Sequence, residues 1–549
     1  MDLTGNRNLF NADWGAFFWA PGIWQPEGGR YSREVVHRFV RRLGESGIDT
    51  LLINPNTQVA WYPSKVVPTV LDGYTRGDPR WANWMPGVSP RTNLTMIDHY
   101  LDLSEDGVDW LAETVLACRQ HGLSPWVSVR MTDMHGAGDP EGNPINCPLF
   151  RDPAVRLSGR PMNPRDAAEG YWQALDYGRG EVRDYMFAMI RELVVDYDFE
   201  GLELDWLRNP SVTEPEAPQQ TADAITAWTA EIRACTVEKA RCTGNPFALG
   251  LRVPGRLRTL RSLGLDVKAV ADGGLIDFVC PSNFMQTSWA MPHDQLRREF
   301  GPGPAIYGVV ELILNGVPGH APELGRTFDR HPCVSPATLR GNAAGKLVLG
   351  ADGIEHYNYF AADEDNFPDL CTAENMRADY AAMRDVHDLE ALRGQPKHYA
   401  LNTMHCPCWH PLVDQPEPLP AILPPQWRRA FALPMCAEPL GRQLELTIQV
   451  VVERSGDPPD IGVSFNGGWP NFDGRETREL LFENRPATHH VPAHQALDYS
   501  FDVGEIIEGW NELVVLNGAH EGQDGRPAKI VSIELAVKPH PRNLAEKWW

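Results

Sequence analysis

The stretch Phe199-Glu200-Gly201-Leu202-Glu203-Leu204-Asp205-Trp206-Leu207-Arg208 sets the reading of this chain, because an apolar strand ends there by presenting two carboxylates, an indole and a guanidinium. A strand alternates faces with a period of two, so Glu203 and Asp205 point to the same side. Like charges brought together on a buried face need partners or a purpose. Paired carboxylates at a strand end suit acid/base or nucleophilic work on a glycosidic bond. The plainer alternative is that Arg208 neutralises Asp205 and the group ties down a loop.

Outward from this strand, the sequence from Trp14 to about Arg393 repeats one theme, a short apolar run followed by a longer segment of helical period. That is the grammar of alternating strand and helix. The runs are Gly15–Trp19, Thr50–Asn54, Pro125–Arg130, Phe199–Trp206, Phe247–Arg252, Ile276–Cys280, Ala305–Glu311 and Gly353–Asn358. Helices are expected near Tyr31–Ser46, Val108–His121, Gly180–Tyr197, Ala222–Arg241 and about Glu374–Leu392. A long excursion rich in Trp, Pro and Asn, with Trp61, Trp81 and Trp84, precedes the second of them. Eight such units fit an α/β (β/α)8 TIM barrel with long loops better than a doubly wound sheet.

After Gln395 the runs shorten, alternate and lose their helices: Leu444–Val450, Ile461–Phe465, Tyr499–Val503, Glu512–Leu516 and Ile530–Leu535. This predicts a smaller all-β sandwich, jelly-roll-like. The expected organisation is a barrel over residues 1–394 and a sandwich over 395–549, with the Pro-rich stretch Pro416–Pro425 as a stiff connector at the join.

A barrel builds its site at the carboxyl ends of its strands. Those ends offer Trp19; Asn54 and Asn56; Arg130, Asp133 and His135; Glu203, Asp205, Trp206 and Arg208; Arg252; Asn283; Glu311; and His356 and Asn358. Polar groups collected on one rim must satisfy one another or serve a ligand.

With these residues in place, the chain resembles the (β/α)8 glycoside hydrolases, especially the family 10-like glycosyl hydrolases, in which a strand like Gly201-Leu202-Glu203-Leu204-Asp205 ends in the active site. The resemblance covers roughly Trp14 to Arg393. In retaining barrel glycosidases it implies an acid/base carboxylate after strand four and a nucleophile after strand seven, matching Glu203 or Asp205 and then Glu311. In that pattern the strand-four acid usually follows an Asn, whereas Leu202 precedes Glu203 here. α-Galactosidase-like enzymes instead place an aspartate nucleophile at strand four, which would give that role to Asp205. The expected catalytic set is Asp205 and Glu311 flanking the bond, with Glu203 one layer deeper. No cofactor is expected.

Arg130, Arg208 and Arg252 end three consecutive strands, and planar guanidiniums suit carboxylate or sulfate groups on a sugar. An anionic glycan is therefore one expectation; the other is that these groups only balance Glu203, Asp205, Asp133 and Glu311. His135 and His356 are candidates for hydroxyl contacts, and Trp19, Trp61, Trp206 and Trp289 for stacking on a sugar ring. Asp133, His135, Glu203 and Asp205 also have metal-ligand chemistry, but no His-x-His closes the first strand, and the set is read without a metal. A metal-dependent barrel hydrolase or isomerase and a non-catalytic carbohydrate-binding barrel stand as the alternatives.

Composition narrows the partners. The formal charge of −23 repels phosphate backbones and anionic membrane surfaces, so neither nucleic acid nor membrane is expected, and an oligo- or polysaccharide is. Self-association into a homo-oligomer stays open. The amino terminus has no basic region followed by an apolar core, which reads as cytoplasmic for the chain as given, or secreted or periplasmic if a signal was removed. Ten cysteines follow no framework pattern. His405-Cys406-Pro407-Cys408-Trp409-His410 lacks the second pair a zinc site needs, and Cys118, Cys235 and Cys280 read as small hydrophobes.

Overall fold

The computed structural model describes residues 7–13, 18, 29–85, 88–157, 173–207, 210–283, 287–311, 336–358, 380–402, 415–416, 418–440, 443–453, 460–477, 481, 494–520 and 526–539. Eight parallel strands close into a barrel in sequence order: β1 Asn8–Asp13, β2 Thr50–Asn54, β3 Ser124–Arg130, β4 Gly201–Asp205, β5 Ala248–Pro254, β6 Phe278–Ser282, β7 Ala305–Glu311 and β8 Gly353–Tyr357. Closure is made by β1 against β8, with Leu9 beside Glu355 and Asn11 beside Tyr357.

The first strand differs from the expected Gly15–Trp19 run. It is Asn8–Asp13, whereas Phe18 packs against Tyr31, Tyr100 and Trp110, and residues 14–17 and 19 lie outside the described residues. The physical reason is alternation. Phe10 meets Phe39 of the helix Arg33–Glu45, while Asn11 and Asp13 turn into the barrel, so polar interior positions hide the strand from a search for apolar runs.

The long excursion after β2 holds a helix of its own, Pro90–Glu105, capped by Ser89 accepting from the Thr92 N–H and opened by Pro90. Of the expected long helix near Glu374–Leu392, residues 380–382 and Leu389–Leu392 are helical with turns between them, and residues 374–379 fall outside the described residues.

Aromatic side chains fill the amino-terminal floor of the barrel, where Leu9, Leu52, Trp126, Phe278 and Tyr307 form one cluster. Trp126 and Phe278 sit 5.0 Å apart between ring centroids. Two strand glycines make that room: a Cβ on Gly201 would lie 2.6 Å from the Trp126 ring, and one on Gly250 would lie 2.4 Å from the Phe278 ring. The glycine that opens Gly201-Leu202-Glu203 is therefore a packing residue.

Beyond the barrel the chain is antiparallel β. One sheet runs β10 Ala421–Leu423, β17 Ala528–Pro539, β12 Leu444–Glu453, β15 His494–Phe501, β14 Phe472–Thr477, with β9 Lys397–Asn402 also on β17. The other is β11 Arg428–Met435, β16 Gly509–Asn517, β13 Ile461–Phe465. Phe465 and Phe501 meet across the two sheets, and Tyr499 donates to the Ile461 carbonyl. The Pro-rich stretch is not a connector between barrel and sheets, because β9 precedes it and β10 lies inside it.

The helix Pro336–Val348 carries the contact between barrel and sheets. Its Gly341 faces the His398 carbonyl and its Gly345 the Pro434 carbonyl, and Arg340 Nε donates to the Pro396 carbonyl at 2.7 Å. No helix among the described residues is long and apolar enough to cross a membrane.

Candidate active site

At the carboxyl end of the barrel, Arg252 from β5 is the hub. It is fully buried; its Nη1 lies 3.3 Å from both Asp205 oxygens and its Nη2 2.5 Å from Glu311 Oε1. Its Cζ stands 3.3 Å from the centroid of the Tyr357 ring, and its Nε is 4.0 Å from Glu355 Oε1. The same guanidinium thus ties β4 to β7 and rests on β8. Register explains the convergence: Asp205 pairs with Arg252 between neighbouring strands, and Glu311 pairs with Tyr357.

Glu311 feels two opposed effects. Burial raises its carboxyl and Arg252 lowers it; burial wins, and the group is pushed up to about 8. Its backbone is pinned as well, since its N–H donates to Thr287 Oγ1 and its carbonyl accepts from the same hydroxyl. Asp205 Oδ1 accepts from the Leu207 N–H at 3.0 Å. Burial also opposes the charge on Arg252, but Asp205, Tyr357 and Glu311 hold it protonated.

One layer deeper, Glu203 Oε1 accepts from Asn11 Nδ2 at 2.7 Å and from Ser128 Oγ at 2.7 Å. The same Asn11 amide donates to Glu355 Oε1 at 2.9 Å. Burial first, then the neighbouring charges of Glu355 and Asp205, pushes Glu203 well above the usual carboxylate range, and burial raises Glu355 too.

A second polar group occupies the β1–β3 side. Arg130 Nη2 lies 2.5 Å from Asp13 Oδ2, and its Nη1 lies 3.0 Å from Asp133 Oδ2, which also meets His135 Nδ1 at 2.8 Å. Asn56 braces Arg130 through both its backbone N–H and its carbonyl, and Asn54 donates to the Ser128 carbonyl. Asn358, with φ of 47°, accepts from the Asp13 N–H at the mouth.

Of the residues expected from sequence, the structure gathers Asp205, Glu311, Glu203 and Arg252 in one cluster and Arg130, Asp133 and His135 in another. Three depart from the expected role. Trp206 is buried edge-on against Tyr177, with the packing of a core residue. Asn283 spends its amide on the backbone of Gln415, donating to its carbonyl at 2.9 Å and accepting from its N–H at 2.8 Å. His356 points out of the barrel, where Nε2 meets Asn8 Oδ1 at 2.9 Å; burial drives its pKa down to about 3. Alternation puts its neighbours Glu355 and Tyr357 inside instead. Trp19 and Arg208 lie outside the described residues.

Sequence reading missed Asp13, Asn11, Glu355 and Tyr357. For β8 the signal was present, since Glu355 and Tyr357 are a period-two pair just as Glu203 and Asp205 are. Both described guanidiniums at the mouth are engaged by carboxylates, which is the balancing alternative that the three arginines left open.

No family model matches the chain, and no curated protein does. Among solved structures it is similar to an α-L-fucosidase isoenzyme 2 from Paenibacillus thiaminolyticus, at 13% identity and a TM-score of 0.40, over 72% of this chain and 51% of the other. It is also similar to a GH36 α-galactosidase from Geobacillus stearothermophilus in complex with stachyose, at 14% identity and a TM-score of 0.36, over 98% of this chain and 56% of the other. A GH138 enzyme targeting pectin rhamnogalacturonan II matches at 13% identity and a TM-score of 0.36, over 70% of this chain and 38% of the other. The chain spans about half the length of the first two of these. They do not single out the family 10-like glycosyl hydrolases.

Proposed function

We propose that this chain is a glycoside hydrolase in which Glu311 and Asp205 act on the glycosidic bond of an oligo- or polysaccharide. The observation that carries the reading is the pair of carboxylates from β4 and β7 held on the two arms of one guanidinium at the carboxyl end of the barrel. A carboxyl pushed up to about 8 keeps its proton at neutral pH and suits the role of general acid toward the leaving oxygen. Asp205 is then the nucleophile or the base that activates water. Arg252 keeps both carboxyl groups in fixed positions, and preorganisation of this kind lowers the cost of reaching the transition state.

The described guanidiniums support a neutral sugar over an anionic one, since Arg130 serves Asp13 and Asp133 while Arg252 serves Asp205 and Glu311. A second reading, a carbohydrate-binding barrel without turnover, is favoured by the near-complete burial of both carboxylates, at 2% and 3% exposure.

A panel of neutral, uronic and sulfated oligosaccharides, followed for reducing-end release, separates these readings. Release by the parent, with kcat falling about 10²- to 10⁴-fold in Glu311→Gln and at least as far in Asp205→Asn, supports the hydrolase. Binding without release favours the binding protein. Release that survives both substitutions removes these residues from the chemistry.

A further inference from the structure

Beneath Arg252, Glu203, Cys280 and Glu355 come from β4, β6 and β8, the alternate strands that build one layer of a barrel. Such layers are normally filled by Val, Ile and Leu. Here two carboxyl groups and a thiol, each with 0% exposure, bring one ligand-capable atom apiece within 4.8 Å of one another. Asn11 and Ser128 satisfy only the Oε1 atoms. Glu203 Oε2 and Glu355 Oε2 are buried with no hydrogen-bond partner, and so is Asn11 Oδ1. A buried carboxylate oxygen left unpaired costs free energy that a native barrel has to offset.

We propose that this layer is a structural site for a zinc-class divalent cation, ligated by Glu203, Cys280 and Glu355. The donor set selects the ion. A thiolate with two carboxylates suits a borderline-soft metal in a four-coordinate site, whereas calcium and magnesium need six or more oxygens. Zn–O and Zn–S bonds of about 2.0 and 2.3 Å place tetrahedral ligands about 3.3–3.5 Å apart, so the layer contracts around the ion. Asn11 Oδ1 is the neutral oxygen beside it that can complete the set after an amide rotation. Three anionic ligands on a dication leave one negative charge, which faces Arg252. With solvent excluded, the ion enters during folding and fixes the floor on which Asp205 and Arg252 stand. The site does not depend on turnover: a barrel that only binds sugar would hold the ion equally.

The test begins with metal content. Full-length protein purified without chelator is expected to carry stoichiometric zinc. The same protein, unfolded in guanidinium with EDTA and refolded with Co²⁺, is expected to show a thiolate-to-cobalt absorption band that Cys280→Ser lacks. Metal far below stoichiometry, both as purified and after refolding with zinc, in protein whose Tm EDTA leaves unchanged, overturns the site and leaves protons as the charge balance of the layer. Stoichiometric metal retained by both Cys280→Ser and Glu355→Gln also overturns it, by placing the ion elsewhere. Glycan release, measured separately, does not enter either outcome.

Discussion

Arg252 is the residue on which the interior charge balance turns. With full burial and carboxyl groups on both Nη atoms, its removal strands Asp205 without a counter-charge and takes from Glu311 its hydrogen-bond donor. Breaking a buried pair in this way destabilises by about 3–5 kcal/mol. We expect Arg252→Met to lose stability on that scale in denaturant titrations. A loss well below that scale would show that Arg252 acts mainly by packing on Tyr357. Glu311 gives a pH signature. Its folded pKa is raised from 4.5 to about 8, so its contribution to stability is fully present below about 4.5 and is lost as pH rises through about 8. Unfolding free energies of the parent should decline over that window relative to Glu311→Gln, and kcat/KM on any hydrolysed substrate should fall above about 8. A parent and variant with parallel profiles would place the proton elsewhere.

At the scale of single elements, strand alternation sorts side chains into barrel and helix layers, and the glycines obey it. Gly250 faces inward under Phe278, so Gly250→Ala drives a methyl into the ring. Overpacking of this kind costs about 1–3 kcal/mol, and a lower Tm with an unchanged m-value is the expected reading. A neutral result would mean that the aromatic floor repacks freely. The same alternation shows what was legible in the sequence. Thr50–Asn54 and Ala305–Glu311 were readable to the residue because both faces of a barrel strand favour apolar runs. Asn8–Asp13 was not, because two of its inward positions, Asn11 and Asp13, are polar. On β8 the tip was legible but its parity was not: Asn358 does reach the mouth, yet His356 is turned outward, and Glu355 and Tyr357 look in. Parity depends on register with β7, and no local pattern in Gly353–Asn358 encodes that register.

Over the whole molecule, the barrel and the β-sheets are joined where backbones approach closely. A Cβ at Gly341 would lie 2.0 Å from the His398 carbonyl, so the helix Pro336–Val348 can dock on β9 only with glycine there. Gly341→Ala should raise the intrinsic helix preference by about 1 kcal/mol yet destabilise the protein, seen as a lower Tm or as earlier proteolysis near residue 397. An unchanged or higher Tm would mean that the helix and β9 separate at little cost. Lys397 and Glu438, both fully buried and 2.6 Å apart, close the same seam, with Glu438 also accepting from the Gly394 N–H.

The sequence by itself determined the number and order of the barrel strands, the change to strands without helices after Gln395, and the gathering of carboxylates and guanidiniums on strand ends. Those features follow from hydrophobic period and run length, which are local. Only the tertiary structure decided that Arg252 is shared between Asp205 and Glu311, that Asn11 joins Glu203 to Glu355, and that Asn283 answers to Gln415 instead of the mouth. These are meetings between residues tens to hundreds of positions apart, set by the register of strands around a closed barrel, and a closed barrel fixes its register only when every strand is in place.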